Sequence, residues 1–245
     1  MTGTNNAGIP FLTTEQMREV DRAMIDDYGI NLIQMMENAG RNLARLARRR
    51  FLDSDPEGRR VLILAGGGGN GGGGLVCARH LHNWGAKVTV WTSAPADHLT
   101  KVPRHQLSIL QRLHVDLLVA DENARLPDAD LIIDAIIGYS LSGDPRGPSA
   151  SLIRAANGHS VPVLSLDAPS GIDTAAGTVH DPSINATATM TLALPKEGLR
   201  SESARDHVGE LYLADISVPP KLYGDPPLNL AVGAIFAQEE VLRIW

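Results

Sequence analysis

Apolar positions change their period partway along this chain. After Thr13, Met17, Val20, Met24 and Tyr28 recur at helical spacing, and Thr13 with Gln16 has the spacing of a capping box. A helix is therefore predicted to begin there, with Gly29 as its C-cap. Asn31 can cap a second helix with the apolar stripe Ile33, Met36, Leu43 and Leu46. It ends in Arg48-Arg49-Arg50, cations suited to a carboxyl-end dipole. From Arg60 the pattern becomes short apolar runs: residues 61–65, 88–92, 115–120, 131–137 and 161–167 read as strands. Residues 72–84, 101–113 and 149–157 read as helices between them. Nearly continuous apolar strands separated by helices predict a parallel sheet covered on both faces. Residues 187–194 and 210–216 read as further strands, and residues 232–245 are expected to dock back as a short helix. Residues 1–10 are polar, lack a basic-then-apolar signal pattern, and are expected to form a flexible arm. Residues 11–245 then make a single domain, with no internal repeat or linker.

Composition narrows the class. Hydrophobic residues make up 43% and charged residues 20% of the 245 positions, enough apolar surface for a core and too little charge for a wholly disordered chain. The net charge of −6 argues against a dedicated nucleic-acid binder. No run of about 18 apolar residues is available to cross a membrane. Cys77 is the single cysteine, so nothing calls for an oxidising compartment. The expectation is a soluble, cytoplasmic α/β protein without a nucleic-acid or membrane partner.

Ligands of open parallel sheets bind at the carboxyl ends of the strands, and three such ends carry unusual sequence. The first is the run Gly66–Gly74, eight glycines around Asn70. Glycine permits close backbone approach, and a helix starting near residue 72 favours an anion, so a phosphate- or nucleotide-facing loop is expected. It is no Walker loop, since no Lys-Ser/Thr follows. The second strand, residues 88–92, lacks the terminal Asp or Glu that holds a ribose in NAD dehydrogenases, which disfavours hydride transfer. At the second end, Asp134 lies inside an apolar strand, where an unsatisfied carboxylate is costly, and must be hydrogen-bonded, paired or bound to a cation. Gly138, Tyr139, Ser140, Leu141, Ser142, Gly143 and Asp144 follow as a loop over the same edge. At the third end, Asp167 closes a strand before the turn Pro169-Ser170-Gly171. Asn70, Asp134 and Ser170 offer only oxygen ligands, suited to a hard cation rather than zinc or copper. No GxSxG or HExxH motif is present, and Lys196 after its strand could reach a ligand, although a lone lysine is more often solvated.

Together these segments resemble the NAD(P)H-hydrate epimerase family, a fold found also as the N-terminal domain of bifunctional nicotinamide-nucleotide repair enzymes. The resemblance runs from Leu12 to about Pro219 and rests on Thr14-Glu15-Gln16-Met17, Met36-Glu37-Asn38-Ala39-Gly40, residues 74–81, Asp134-Ala135, residues 138–144, Asp167-Ala168-Pro169-Ser170-Gly171 and Pro195-Lys196. It implies a three-layer α-β-α Rossmann-like fold with a mostly parallel central sheet, in a homodimer. It implies an isomerase that interconverts the R and S epimers of hydrated NADH and NADPH, coupled to a separate NAD(P)H-hydrate dehydratase. By position it implies Asn70, Asp134 and Ser170 as ligands of a potassium ion. It likewise implies Gly69, Asn70, Gly71, Gly72, Gly73, residues 138–144 and Asp167 as substrate contacts. Where the family loop usually reads Asn-Asn-Gly-Gly-Asp-Gly, this chain reads Gly69-Asn70-Gly71-Gly72-Gly73-Gly74.

Epimerisation can proceed by loss of the C6 hydroxyl, giving a ring cation stabilised by nitrogen, and return of water on the other face. Asp167 is the candidate for both proton donor and proton acceptor. Two other classes are weighed beside the enzyme. One is a nucleotide-binding module without turnover, which the altered loop allows; the other is a dimeric interaction module with Met35, Met36 and the N-terminal helices at its contact.

Overall fold

A computed structural model describes residues 8–245; the arm expected at 1–10 falls mostly on residues 1–7, outside the described residues. Ile9 packs on the apolar cluster around the first helix. That helix, α1 (Thr14–Asp26), opens on the expected capping box: the Gln16 amide donates to Thr13 Oγ1 at 3.2 Å, and the Thr13 amide donates to Gln16 Oε1 at 3.0 Å. The second helix, α2 (Leu32–Phe51), begins with the Asn31 amide donating to Gln34 Oε1 at 2.8 Å. Met35 and Met36, candidates for a dimer contact in the interaction-module reading, are instead buried within the chain.

The sheet is built from β1 (Arg60–Ala65), β2 (Lys87–Thr92), β3 (Asp116–Val119), β4 (Leu131–Ala135), β5 (Val163–Leu166), β6 (Ala188–Leu192), β7 (Glu210–Ala214) and β8 (Val241–Arg243). Their order is β3-β2-β1-β4-β5-β6-β7-β8, parallel throughout except for the antiparallel β7–β8 pair. Between them run α3 (Gly69–Asn83), α4 (Lys101–Arg112), α5 (Gly147–Asn157), α6 (Glu202–Val208) and α7 (Pro220–Gly224). Alternate β1 residues serve opposite faces. Ile63 and Ala65 join a cluster with α2, α3 and α4, while Leu62 and Leu64 join one with Leu152 and Ile153 of α5. This is the three-layer α/β arrangement that the apolar strands predict.

Two elements differ from expectation. The segment expected as a C-terminal helix supplies β8, with Leu242 opposite Leu213. The pairing covers a β7 edge whose N–H and C=O groups would otherwise be unpaired, a stronger demand than local propensity in three residues. Helix α3 begins at Gly69 rather than near 72, with the Gly72 amide donating to the Gly68 carbonyl at 3.1 Å. Each helical glycine costs about 1 kcal/mol relative to alanine, which packing must offset. The packing is visible: a Cβ on Gly74 would lie 2.6 Å from Ala135 Cβ, and one on Gly71 would lie 1.8 Å from the Gly66 carbonyl oxygen. Much of the glycine run thus serves to lay α3 directly on the sheet.

Chain direction across the sheet reverses at β1, which pairs with β2 on one side and β4 on the other. The loops leaving β1 and β4 therefore part, opening a crevice at their carboxyl ends.

Candidate active site

A pocket of about 230 Å³ occupies that crevice. The N-terminus of α3 gives it Gly69, Asn70 and Gly73, the loop after β4 gives Gly138, Tyr139 and Ser140, and the end of β5 gives Leu166 with Asp167 just past it. Asp21 of α1, Met35 and Met36 of α2, and Lys196 after β6 complete much of the wall.

Its most unusual feature is a buried ion pair. Lys196 is 0% exposed and Asp167 4%, and the Lys196 ammonium donates to Asp167 Oδ1, to the Leu192 carbonyl at 2.9 Å and to Thr191 Oγ1 at 3.3 Å. The second Asp167 oxygen accepts from the Tyr139 backbone amide at 3.2 Å. Asp167 holds this place with φ of 67°, in the left-handed region, which aspartate tolerates better than most side chains. Such backbone strain is retained where the surrounding structure fixes it, commonly at functional sites. Local sequence gives little sign of the pair: Lys196 reads as a solvated lysine, and its partner lies 29 residues earlier.

Asp134 lies apart from the pocket lining. It is 0% exposed on β4, with Oδ1 accepting from the Ser170 hydroxyl at 2.5 Å and the Ile136 amide at 3.2 Å. Its Oδ2 accepts from the Ser165 hydroxyl and the Ser170 amide, both at 2.8 Å. Burial pushes this carboxyl above the ordinary range, and those four hydrogen bonds pull against the shift. Ser170 is equally buried and ties the β5 turn to the β4 loop by accepting from the Ile137 amide at 2.9 Å. Asn70 does reach the pocket; its Nδ2 is buried without a hydrogen-bond partner, and a Cβ on Gly138 would come within 3.2 Å of its carboxamide.

Of the expected substrate contacts, Gly69, Asn70, Gly73, Gly138, Tyr139, Ser140 and Asp167 line this pocket. Gly71 and Gly72 face the packing of α3, and a Cβ on Gly72 would lie 2.3 Å from Met36 Sδ. Leu141, Ser142, Gly143 and Asp144 lie outside the lining, with Asp144 paired to His180 Nδ1 at 2.9 Å.

Asp21 is an acidic wall residue that lies away from the strand ends, on α1. The Tyr139 hydroxyl donates to its Oδ2 at 2.5 Å. Burial pushes the Asp21 carboxyl up, while the Tyr139 hydrogen bond and the Lys196 charge oppose the shift. A signal existed: Asp21 stands four residues after Met17 and three before Met24, a carboxylate on the apolar face of its own helix.

Comparison with known sequences gives this site a context. The profile of the family "YjeF-related protein N-terminus" matches residues 32–198, well over half of the chain. The chain belongs to this family. A protein named NAD(P)H-hydrate epimerase from Dehalogenimonas lykanthroporepellens is 44% identical over 222 residues, 91% of this chain and 88% of that one. Another of that name from Plasmodium vivax is 33% identical over 86% of this chain and 72% of its own. The bifunctional NAD(P)H-hydrate repair enzyme Nnr of Salinibacter ruber is 36% identical over 86% of this chain, which spans only 41% of that longer protein. The crystal structure of yeast ynu0 superposes with a TM-score of 0.80 at 25% identity, covering 96% of this chain and all of the yeast chain. In this YjeF-related chain, residues 69–74 form the glycine-rich start of α3, with Asn70 as their one polar side chain. Among the described residues no helix is long and apolar enough to cross a membrane.

Proposed function

We infer that this chain is an NAD(P)H-hydrate epimerase, an isomerase acting on hydrated NADH and NADPH in the pocket at the β1–β4 crevice. The observation that carries the reading is the buried Lys196–Asp167 pair opening onto that pocket in a chain of this family. Asp167 takes the proton of the water that adds at C6, and Lys196, hydrogen-bonded on three sides, holds the carboxylate against the ring. The glycine-rich start of α3 presents amide groups and the positive end of a helix dipole to the dinucleotide.

Potassium suits Asn70, Asp134 and Ser170 by donor chemistry, all three side chains offering oxygen. One further feature favours the fit. Asp134 is a buried carboxylate with no cationic side chain paired to it among the described residues. When bound, the ion supplies charge that compensates Asp134 and draws the β4 and β5 turns together. A homodimer belongs to the same reading, with Ile25, Tyr28, Leu32 and Ile33 as exposed apolar residues at the α1–α2 corner. So does functional coupling to a separate dehydratase in the cytoplasm, with residues 11–245 acting as one domain.

The test starts from purified R-epimer of hydrated NADH in potassium buffer, with S-epimer formation followed by chromatography against the spontaneous rate. Acceleration by the wild type and its loss in Asp167→Asn is the expected result. A wild type no faster than buffer overturns the epimerase reading and leaves a binding module. Replacing potassium with choline at constant ionic strength is expected to lower the melting temperature of the wild type but not of Asp134→Asn.

A further inference from the structure

Epimerisation at C6 breaks a C–O bond on one face of the ring and makes one on the other. A proton must be delivered where the hydroxyl leaves and removed where water arrives. Asp167, paired with the Lys196 ammonium, is placed to accept. The delivering group has to come from elsewhere in the pocket.

Tyr139 joins two acids through its two ends. Its backbone amide donates to Asp167 Oδ2 at 3.2 Å, and its hydroxyl donates to Asp21 Oδ2 at 2.5 Å. Asp21 and Tyr139 both line the pocket, one from α1 and one from the β4 loop. Asp21 makes no salt bridge among the described residues, in contrast to Asp167. Resting on the epimerase reading above, we propose that Asp21, acting through the Tyr139 hydroxyl, is the second proton-exchanging group of this site and works opposite Asp167.

In one direction Asp21 enters protonated, so that its carboxyl O–H donates to the Tyr139 oxygen and frees the Tyr139 proton. The C6–O electrons leave with the hydroxyl oxygen, which takes that proton as Tyr139 takes one from Asp21. The departing group is water, and the ring nitrogen lone pair closes a C=N bond to C6. A water oxygen then bonds to C6 from the other face, the electron pair returns to nitrogen, and Asp167 takes the water proton. Asp167 then releases its proton to solvent and Asp21 regains one, which resets the site. The opposite direction exchanges the two roles, and nothing is oxidised or reduced.

The groups facing Asp21 set its titration. Tyr139 approaches from the β4 loop, Asp167 from β5 and Lys196 from the segment after β6; Arg18 on α1 acts on Tyr139, and Tyr223 of α7 stands within electrostatic reach of Asp21. Desolvation dominates and raises the proton affinity of Asp21, as a proton donor requires.

The experiment measures kcat and KM for the R epimer across pH with wild type, Asp21→Asn, Asp21→Glu and Tyr139→Phe, each checked for native melting. General acid catalysis is worth about 10²–10⁴-fold, so Asp21→Asn is expected to lower kcat by that factor with KM nearly unchanged. Wild-type activity is expected to fall as rising pH deprotonates Asp21, a limb absent in Asp21→Asn and restored in Asp21→Glu. Tyr139→Phe, which removes the relay, is expected to lower kcat and to lose the same limb. A folded Asp21→Asn with wild-type kcat, or one that loses activity with its pH profile unchanged, overturns the proposal while the epimerase reading stands. A wild type no faster than the spontaneous reaction overturns both.

Discussion

Removing the Lys196 ammonium is the most informative single perturbation of this molecule. In Lys196→Met the aliphatic stem is nearly conserved, and the change reduces to deleting one charge from a fully buried position. The carboxylate left behind is 4% exposed and keeps, of its side-chain hydrogen bonds, only the Tyr139 amide at 3.2 Å. Thr191 Oγ1 and the Leu192 carbonyl also lose a donor. Breaking a buried ion pair from one side costs about 3–5 kcal/mol, because an uncompensated charge remains. For a chain of this size each kcal/mol moves the midpoint by about 2–4 °C, so the variant should melt roughly 6–20 °C below wild type. The control is Lys196→Met combined with Asp167→Asn, which removes the orphaned charge and keeps a residue that accepts positive φ. The double variant should recover about 1–3 kcal/mol relative to the sum of the singles, measured by urea unfolding. A Lys196→Met midpoint indistinguishable from wild type, or strict additivity in the cycle, would refute the buried pair as a stabilising element.

Four further outcomes are expected. The Arg50 hydrogen bonds, with Tyr212 and the Arg243 charge in support, push Glu210 down from its ordinary 4.5 to about 2. A depressed carboxyl contributes stability above its unfolded value that is lost as pH falls through the folded one. Glu210→Gln should therefore cost about 1–2 kcal/mol at neutral pH after allowance for solvent screening, with the gap to wild type closing between pH about 4.5 and about 2 in denaturant titrations. Gly71→Ala, whose Cβ meets a backbone oxygen at 1.8 Å, should lose more than about 3 kcal/mol or fail to fold. Gly73→Ala meets the movable tip of Leu166 at 2.7 Å and gains helix propensity, so its midpoint should stay within about 1 kcal/mol of wild type. Gly73→Asp should fold for the same reason, and chromatography of the hydrated nucleotide will show whether a carboxylate at this point of the wall raises kcat.

The elements legible in the sequence were those with repeated local signals. The capping box at Thr13–Gln16, the helical stripe of α2 and the unbroken apolar runs of β1 and β4 each carry their cause within a few residues. Strand β8 has no such signal; it exists because β7 leaves an edge to be paired. The same division runs through the pocket. Strand-end position pointed to Asp167, and the polar residue inside an apolar strand pointed to Asp134. Lys196 is buried by partners that no neighbouring residue announces, and Asp21 is visible only once the face of α1 is taken to matter for chemistry as well as packing. The glycine run was legible as a place of close approach, yet at Gly74 what comes close is the sheet, and at Gly71 the backbone of Gly66 just past β1.

One small contact ties the start of the described chain to the lysine. Leu12 forms an isolated bridge with Lys196: its amide donates to the Pro195 carbonyl at 2.7 Å, and its carbonyl accepts from Glu197 at 2.9 Å. Residues far apart in sequence must meet to close this clasp, so the sheet from β1 to β4 can assemble while the pocket still lacks its ammonium. Hydrogen exchange should find the Leu12 and Glu197 amides losing protection together, at a lower opening free energy than the amides of β1. A cell that proofreads its proteins by proteolysis would sense damage near the clasp before the core has moved.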